Sequence, residues 1–182
     1  ILQILNGRVP PYGFTCLHEK RNSHNHLILG MGMSMKQRLM LKEIQRTGWV
    51  RAGVPRSESV AAHSWGMAML AMKFCPEQLN RERVLEMCLI HDLAEIIVGD
   101  LTPKDDTSTK AEDEEAAMHV LAPEWLSIFQ EYERGQTPES KFVKKMDKLD
   151  MKYTAENYQE IYGLDLQEFI DSAEEYLSDI DF

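Results

Sequence analysis

From Met35 onward, apolar positions recur at the three- and four-residue spacing of helices, and no alternating apolar–polar pattern persists beyond four residues. The pattern predicts an all-α chain. A first amphipathic helix is expected over Met35 to Arg46, and a turn over Thr47 to Arg56, which holds Gly48, Gly53 and Pro55. Ser57 can cap a second helix, Glu58 to Phe74, and Asn80 a third. After a loop at Pro103 to Thr107, Thr109 with Glu112 reads as a capping box for a fourth helix ending near Leu121. A fifth spans Pro123 to Arg134. Thr137-Pro138, a cap followed by proline at the first helical position, opens a long sixth that runs to about Tyr162. Leu166 to Leu177 is a last, acidic helix.

The third helix changes the picture. Its residues Val84, Leu85, Cys88, Leu89, Ile90, Leu93, Ile96 and Ile97 are apolar nearly all round, as in a buried central helix. Within it stand His91, Asp92 and, one turn on, Glu95. At about 100° per residue these three share one side. Burying two carboxylates and an imidazole together is costly unless something compensates the charge, and a divalent cation is the simplest compensation. Two further ligands are available: His63 on the second helix, and Asp147 or Asp150 on the sixth. Periodicity alone favours Asp150, which lies nearer the stripe Phe142, Met146, Leu149, Tyr153. Two His and two Asp, with water in the open positions, suit Mn, Co, Zn or Fe better than Mg.

Residues 1–34 show no sustained period, and an N-terminal extension without regular structure is expected there, followed by one domain over 35–182. The natural chain is expected to start near Met33 or Met35. At 182 residues with 43% hydrophobic content the chain can bury a full core. No stretch is apolar enough to span a bilayer, and no secretion signal is recognisable. Cys16, Cys75 and Cys88 are odd in number, scattered and outside any CxxC pair, which points to reduced thiols in a cytoplasmic setting. A net charge of −10 argues against a nucleic-acid polymer as partner and leaves a small phosphorylated ligand open. No Walker loop, GxGxxG or HExxH occurs, so neither ATP nor a dinucleotide cofactor is expected.

His63, then His91-Asp92 after 28 positions and Asp147 after 55 more, resembles the H…HD…D signature of HD-domain metal-dependent phosphohydrolases. Arg46-Thr47-Gly48-Trp49, Glu58-Ser59-Val60 with His63, the run His91 to Asp100, and Met146 to Met151 are similar to the 5′-deoxynucleotidase subgroup, including the HD-domain-containing 2 type. The resemblance implies a bundle of about six to seven helices around a single divalent metal ion held by His63, His91, Asp92 and Asp147, and so selects Asp147 over Asp150. It implies proton transfer and water activation by Glu95 and Asp100, and a phosphate contact from Arg46, with Lys104 a further candidate. The substrate implied is a 2′-deoxynucleoside 5′-monophosphate, and the assembly a homodimer. Bacterial members carry a Trp directly after the first-turn Arg that helps exclude ribonucleotides; here the position is Thr47, with Trp49 nearby. The alternatives are another small phosphoester as substrate, or a non-catalytic, metal-stabilised module that binds a nucleotide. Trp49 and Trp65 are expected in the core, and His119, on an acidic helix, outside the site.

Overall fold

The computed structural model describes residues 32–177. Most of the predicted extension therefore lies outside the described residues, as does Cys16. Of the rest, Met33 donates its backbone N–H to the carbonyls of Val120 and Leu121, at 3.1 Å each.

The described residues form helices, with one isolated antiparallel bridge between Gln45 and Ser59. In chain order they are α1 (Met35–Arg38), a 3₁₀ segment (Leu39–Glu43), α2 (Thr47–Arg51), α3 (Val60–Phe74), α4 (Arg81–Ile90), α5 (Glu95–Val98), α6 (Lys110–Leu121), a 3₁₀ turn (Pro123–Trp125), α7 (Leu126–Arg134), α8 (Pro138–Tyr162) and α9 (Gln167–Leu177).

The cap signals at Asn80 and Thr137 act as their chemistry dictates. Asn80 Oδ1 accepts from the Arg83 N–H at 3.2 Å and Thr137 Oγ1 from the Ser140 N–H at 3.1 Å, each satisfying an orphan donor of a first turn. Elsewhere tertiary contacts override local pattern. The expected first helix stops at Glu43, because Ile44 turns extended and its carbonyl accepts from Val60 N–H at 2.8 Å. Arg46 consequently caps α2, a short helix where a turn was expected. The second helix starts at Val60 and is capped by Ser59, whose Oγ accepts from Ala62 N–H, rather than by Ser57. Thr109 donates its hydroxyl to Asp113 at 2.9 Å in place of a capping box with Glu112.

The third helix also departs from its expected form. It ends at Ile90, and His91 is its C-cap; residues 91–94 form a tight turn before α5, with Leu93 N–H bonded to Ile90 O and Glu95 N–H to Asp92 O, both at 3.0 Å. The His-Asp pair therefore sits at a helix end rather than inside one. Leu89 is 53% exposed, so the apolar ring around this helix is not fully buried.

Three apolar clusters hold the bundle. Met67, Ala71, Val84, Met87, Val143 and Met146 join α3, α4 and α8, with Ile128 and Tyr132 of α7 closing over them. Leu41, Ile96, Met118, Leu121 and Phe129 tie the 3₁₀ segment to α5, α6 and α7. Trp49, Tyr158, Leu166 and Ile170 fix α2 against α8 and α9. Trp49 is in this core as expected, but Trp65 is not: it is 64% exposed on α3.

Candidate metal centre

Four elements converge where these clusters leave a polar gap. Two bonds around the Gln45–Ser59 bridge, Arg46 N–H to Glu58 O at 3.1 Å and Val60 N–H to Ile44 O, tie the start of α2 to the start of α3. One turn into α3 comes His63, fully buried. The end of α4 supplies His91 and Asp92, α5 supplies Glu95, and α8 supplies Asp147 and Asp150. Gly99, at φ +80°, ends α5 in a backbone state open to glycine. The chain then reverses so that the Asp100 carboxylate accepts the Thr47 backbone N–H.

Ligand atoms of His63, His91 and Asp92 all lie within 4.8 Å of one another. His63 Nε2 is 3.2 Å from Asp147 Oδ1, and His91 Nε2 is 3.0 Å from Asp92 Oδ2. Neither approach has hydrogen-bond geometry, so both Nε2 atoms are buried without a hydrogen-bond partner among the described residues. Glu95 Oε2 is in the same condition. A buried polar atom left unpaired costs free energy comparable to a lost hydrogen bond, and three together mark a place built for something else. Two imidazole nitrogens and adjacent carboxylates are the donor set of a first-row divalent cation, so the residues present fit one.

The opposite ring nitrogens are both engaged. His91 Nδ1 faces Cys88 O at 3.1 Å, and His63 Nδ1 faces Asp150 Oδ2 at 2.7 Å. Glu58, His63 and Asp150 also lie within 4.8 Å. That second group has the character of a hydrogen-bond cluster: the 2.7 Å contact is direct, and Glu58 Oε1 already accepts from Trp49 Nε1–H at 3.0 Å.

The charges explain the protonation states. Burial would raise Asp92, but His91, Arg46 and His63 hold its carboxyl below the usual range. Burial opposes ionisation of Asp147 too, and His63, Lys148 and Arg46 outweigh it. For His63, burial and Arg46 act downward, yet Asp147 and Asp150 lift it to about 9. Glu95 goes the other way: burial, then Asp92 and Asp100, push its carboxyl well above its ordinary value. Two neighbouring acids, Asp92 and Glu95, are thus set apart in proton affinity, the arrangement that separates a ligand from a proton donor.

These groups open into a cleft of about 750 Å³, a volume suited to a small organic ligand. Arg46, His91, Asp92, Glu95, Asp100, Lys104 and Asp147 line it; His63 lies behind the wall. Lys104 is at the exposed rim, 3.5 Å from Glu168. Arg51 also lines the cleft and pairs with Asp105, next to Lys104 in the same loop, at 2.7 Å. Sequence reasoning passed over Lys110, Lys144 and Lys148, which also line the cleft, and the Tyr132 ring, 5.0 Å from that of His91. Phe169 of α9 completes a wall with Trp49, ring centroids 4.5 Å apart. His119 is exposed and away from the cleft lining.

Comparisons with known proteins identify the family. A family model described as "HD domain" matches residues 39–180. The 5′-deoxynucleotidase HDDC2 of Danio rerio is 40% identical over 147 residues, 74% of this chain and 73% of that protein. The human protein of the same name is 38% identical over 144 residues, covering 72% of this chain and 71% of its own. Among solved structures, a conserved hypothetical protein from Pyrococcus furiosus is similar at TM-score 0.70 and 33% identity, covering 80% of this chain and 90% of that one.

Proposed function

The chain belongs to the HD domain family, and we propose that it is a metal-dependent 5′-deoxynucleotidase, converting a 2′-deoxynucleoside 5′-monophosphate and water to the deoxynucleoside and phosphate. The observation that carries this reading is the pair of buried, unpartnered Nε2 atoms of His63 and His91 beside Asp92, with the buried, unpartnered carboxyl of Glu95 in the same cleft. The likeness to relatives named for that activity supports the substrate class.

His63, His91, Asp92 and Asp147 are the proposed ligands of one divalent cation, with Mn, Co, Zn or Fe favoured over Mg by the nitrogen donors. When bound, the cation supplies Lewis-acid stabilisation of charge on the phosphoryl group and makes a water more acidic. Arg46 binds a phosphate oxygen, and Lys104 at the rim offers a weaker contact. Asp100, anchored by the Thr47 N–H, orients the attacking water. Glu95 gives its proton to the 5′ oxygen as the bond from phosphorus to that oxygen breaks. A carboxyl whose proton affinity is raised by burial and then by Asp92 and Asp100 is suited to that step.

Among the described residues no helix is long and apolar enough to cross a membrane. A cytoplasmic setting is the reading that two free thiols, Cys75 and Cys88, support. Homodimerisation is the reading supported by the exposed apolar side chains Leu39, Trp65, Met69, Met72 and Leu89. The activity is tested by phosphate release from deoxynucleoside monophosphates before and after metal removal.

A further inference from the structure

Both histidines of the centre are anchored through Nδ1, but by different groups. His91 uses the Cys88 carbonyl of its own helix, whereas His63 uses Asp150, 87 residues away on α8. We infer that Asp150 is the positioning residue of His63: its carboxylate accepts from Nδ1–H and so turns Nε2 to the side of Asp147, His91 and Asp92, where a bound cation would take its lone pair. This rests on the reading of His63 as a metal ligand. A carboxylate on the far nitrogen fixes which nitrogen keeps the proton and how a ligating imidazole is turned.

The packing shows how the contact is enforced. Asp150 is buried, at 7% exposure, one turn after Asp147, so both acids face α3. One turn after His63, α3 presents Gly66. A Cβ on Gly66 would lie 2.1 Å from Asp150 Oδ1. Real Cβ atoms do not approach that closely, so any side chain at this position would push the Asp150 carboxylate away from where it meets His63. Asp147 and Asp150 thus grip one ring from its two nitrogens, Nε2 at 3.2 Å and Nδ1 at 2.7 Å. A sequence reading that treats the two acids as rivals for one role misses that each has its own.

The test uses the whole chain and two readouts that do not depend on turnover. Cobalt(II) titration followed by its ligand-field absorption gives metal affinity, and nitrogen-15 spectra of the zinc-loaded protein show which His63 nitrogen carries the proton. Asp150→Leu removes the acceptor, Asp150→Asn keeps an acceptor oxygen, and Gly66→Ala displaces the carboxylate without altering it. The expected result is that D150L and G66A lose the Nδ1–H form and bind cobalt about 10- to 100-fold more weakly, while D150N recovers most of the affinity. Cobalt binding lost in His63→Ala but undiminished in folded D150L or G66A, with the tautomer unchanged, would overturn the role of Asp150 alone. Cobalt binding undiminished in His63→Ala would instead overturn the ligand assignment on which that role rests.

Discussion

Arg46 Nη1 stands 3.4 Å from Asp92 Oδ2, placing a buried guanidinium at the edge of an acidic cluster. Burial works against its charge, but Asp92, Asp147, Asp100 and Glu95 more than compensate and hold it protonated. It is also the cation of the cleft nearest the proposed cation site by direct contact with one of its ligands. Removing it has two consequences: the phosphate loses a partner, and the carboxylates of Asp92, Asp147 and Asp100 lose a counter-charge.

Arg46→Ala is therefore expected to lower kcat/KM by about 10²-fold or more, with Arg46→Lys giving only partial rescue because a planar fork is replaced by a point charge. Steady-state kinetics on a deoxynucleoside monophosphate check this. Unchanged kcat/KM in R46A would remove Arg46 from the substrate site.

Glu95→Gln keeps the size of the side chain and removes its transferable proton. A positioned general acid typically contributes about 10²–10⁴-fold, so kcat should fall by that amount while metal content and melting temperature stay near wild type. Retained kcat would exclude the assigned role.

The glutamate of α6 that faces the cleft gives a stability prediction at a residue that is not itself a proposed metal ligand. Burial pushes the Glu114 carboxyl up to about 7, with Lys110, 3.5 Å away, only partly opposing the shift. A folded-state value above the unfolded one means that the native state takes up the proton first. The associated stability is fully present below pH 4.5 and is lost as pH rises through about 7. Wild type should therefore lose up to about 3 kcal/mol from this group between pH 4.5 and 8. Glu114→Gln should melt higher than wild type at pH 8 and nearly level with it at pH 5; an offset equal at both pH values would contradict the account.

Chelation and refilling test the cation site. A ligand that binds only the folded state at about 100 times its Kd adds about 2.7 kcal/mol. For a domain of this size that is a rise of about 5–10 °C in Tm. Adding Co, Mn or Zn to stripped protein should produce it, and His63→Ala or His91→Ala should abolish it.

Much of the site was legible because chemistry-bearing residues are few and their setting is apolar. His91 and Asp92 stood out by type within an apolar run, whereas His63 and the choice of Asp147 over Asp150 came from the family resemblance, since periodicity alone favours Asp150. Cap residues Asn80 and Thr137 act locally, so they too were readable. What escaped depends on partners distant in sequence. The break after Glu43 is made by hydrogen bonds to residues of the α3 start, which no window around Met35 contains. The end of α4 at His91 is a turn inside an unbroken apolar run. Trp65 points out although its helix carries apolar residues on several sides. Asp150 acts through Gly66 and His63 of another helix, and periodicity could show only that it faces inward.

The most direct test of the central claim is phosphate release from a panel of deoxynucleoside monophosphates, ribonucleoside monophosphates and deoxynucleoside triphosphates. Metal-stripped protein is refilled separately with Mn, Co, Zn and Mg, and Glu95→Gln is run beside wild type. Release is expected from deoxynucleoside monophosphates, dependent on a transition metal and lost in the variant. No release from any deoxynucleoside monophosphate with any of the four metals, from protein whose Tm rises on metal addition, would contradict the central claim.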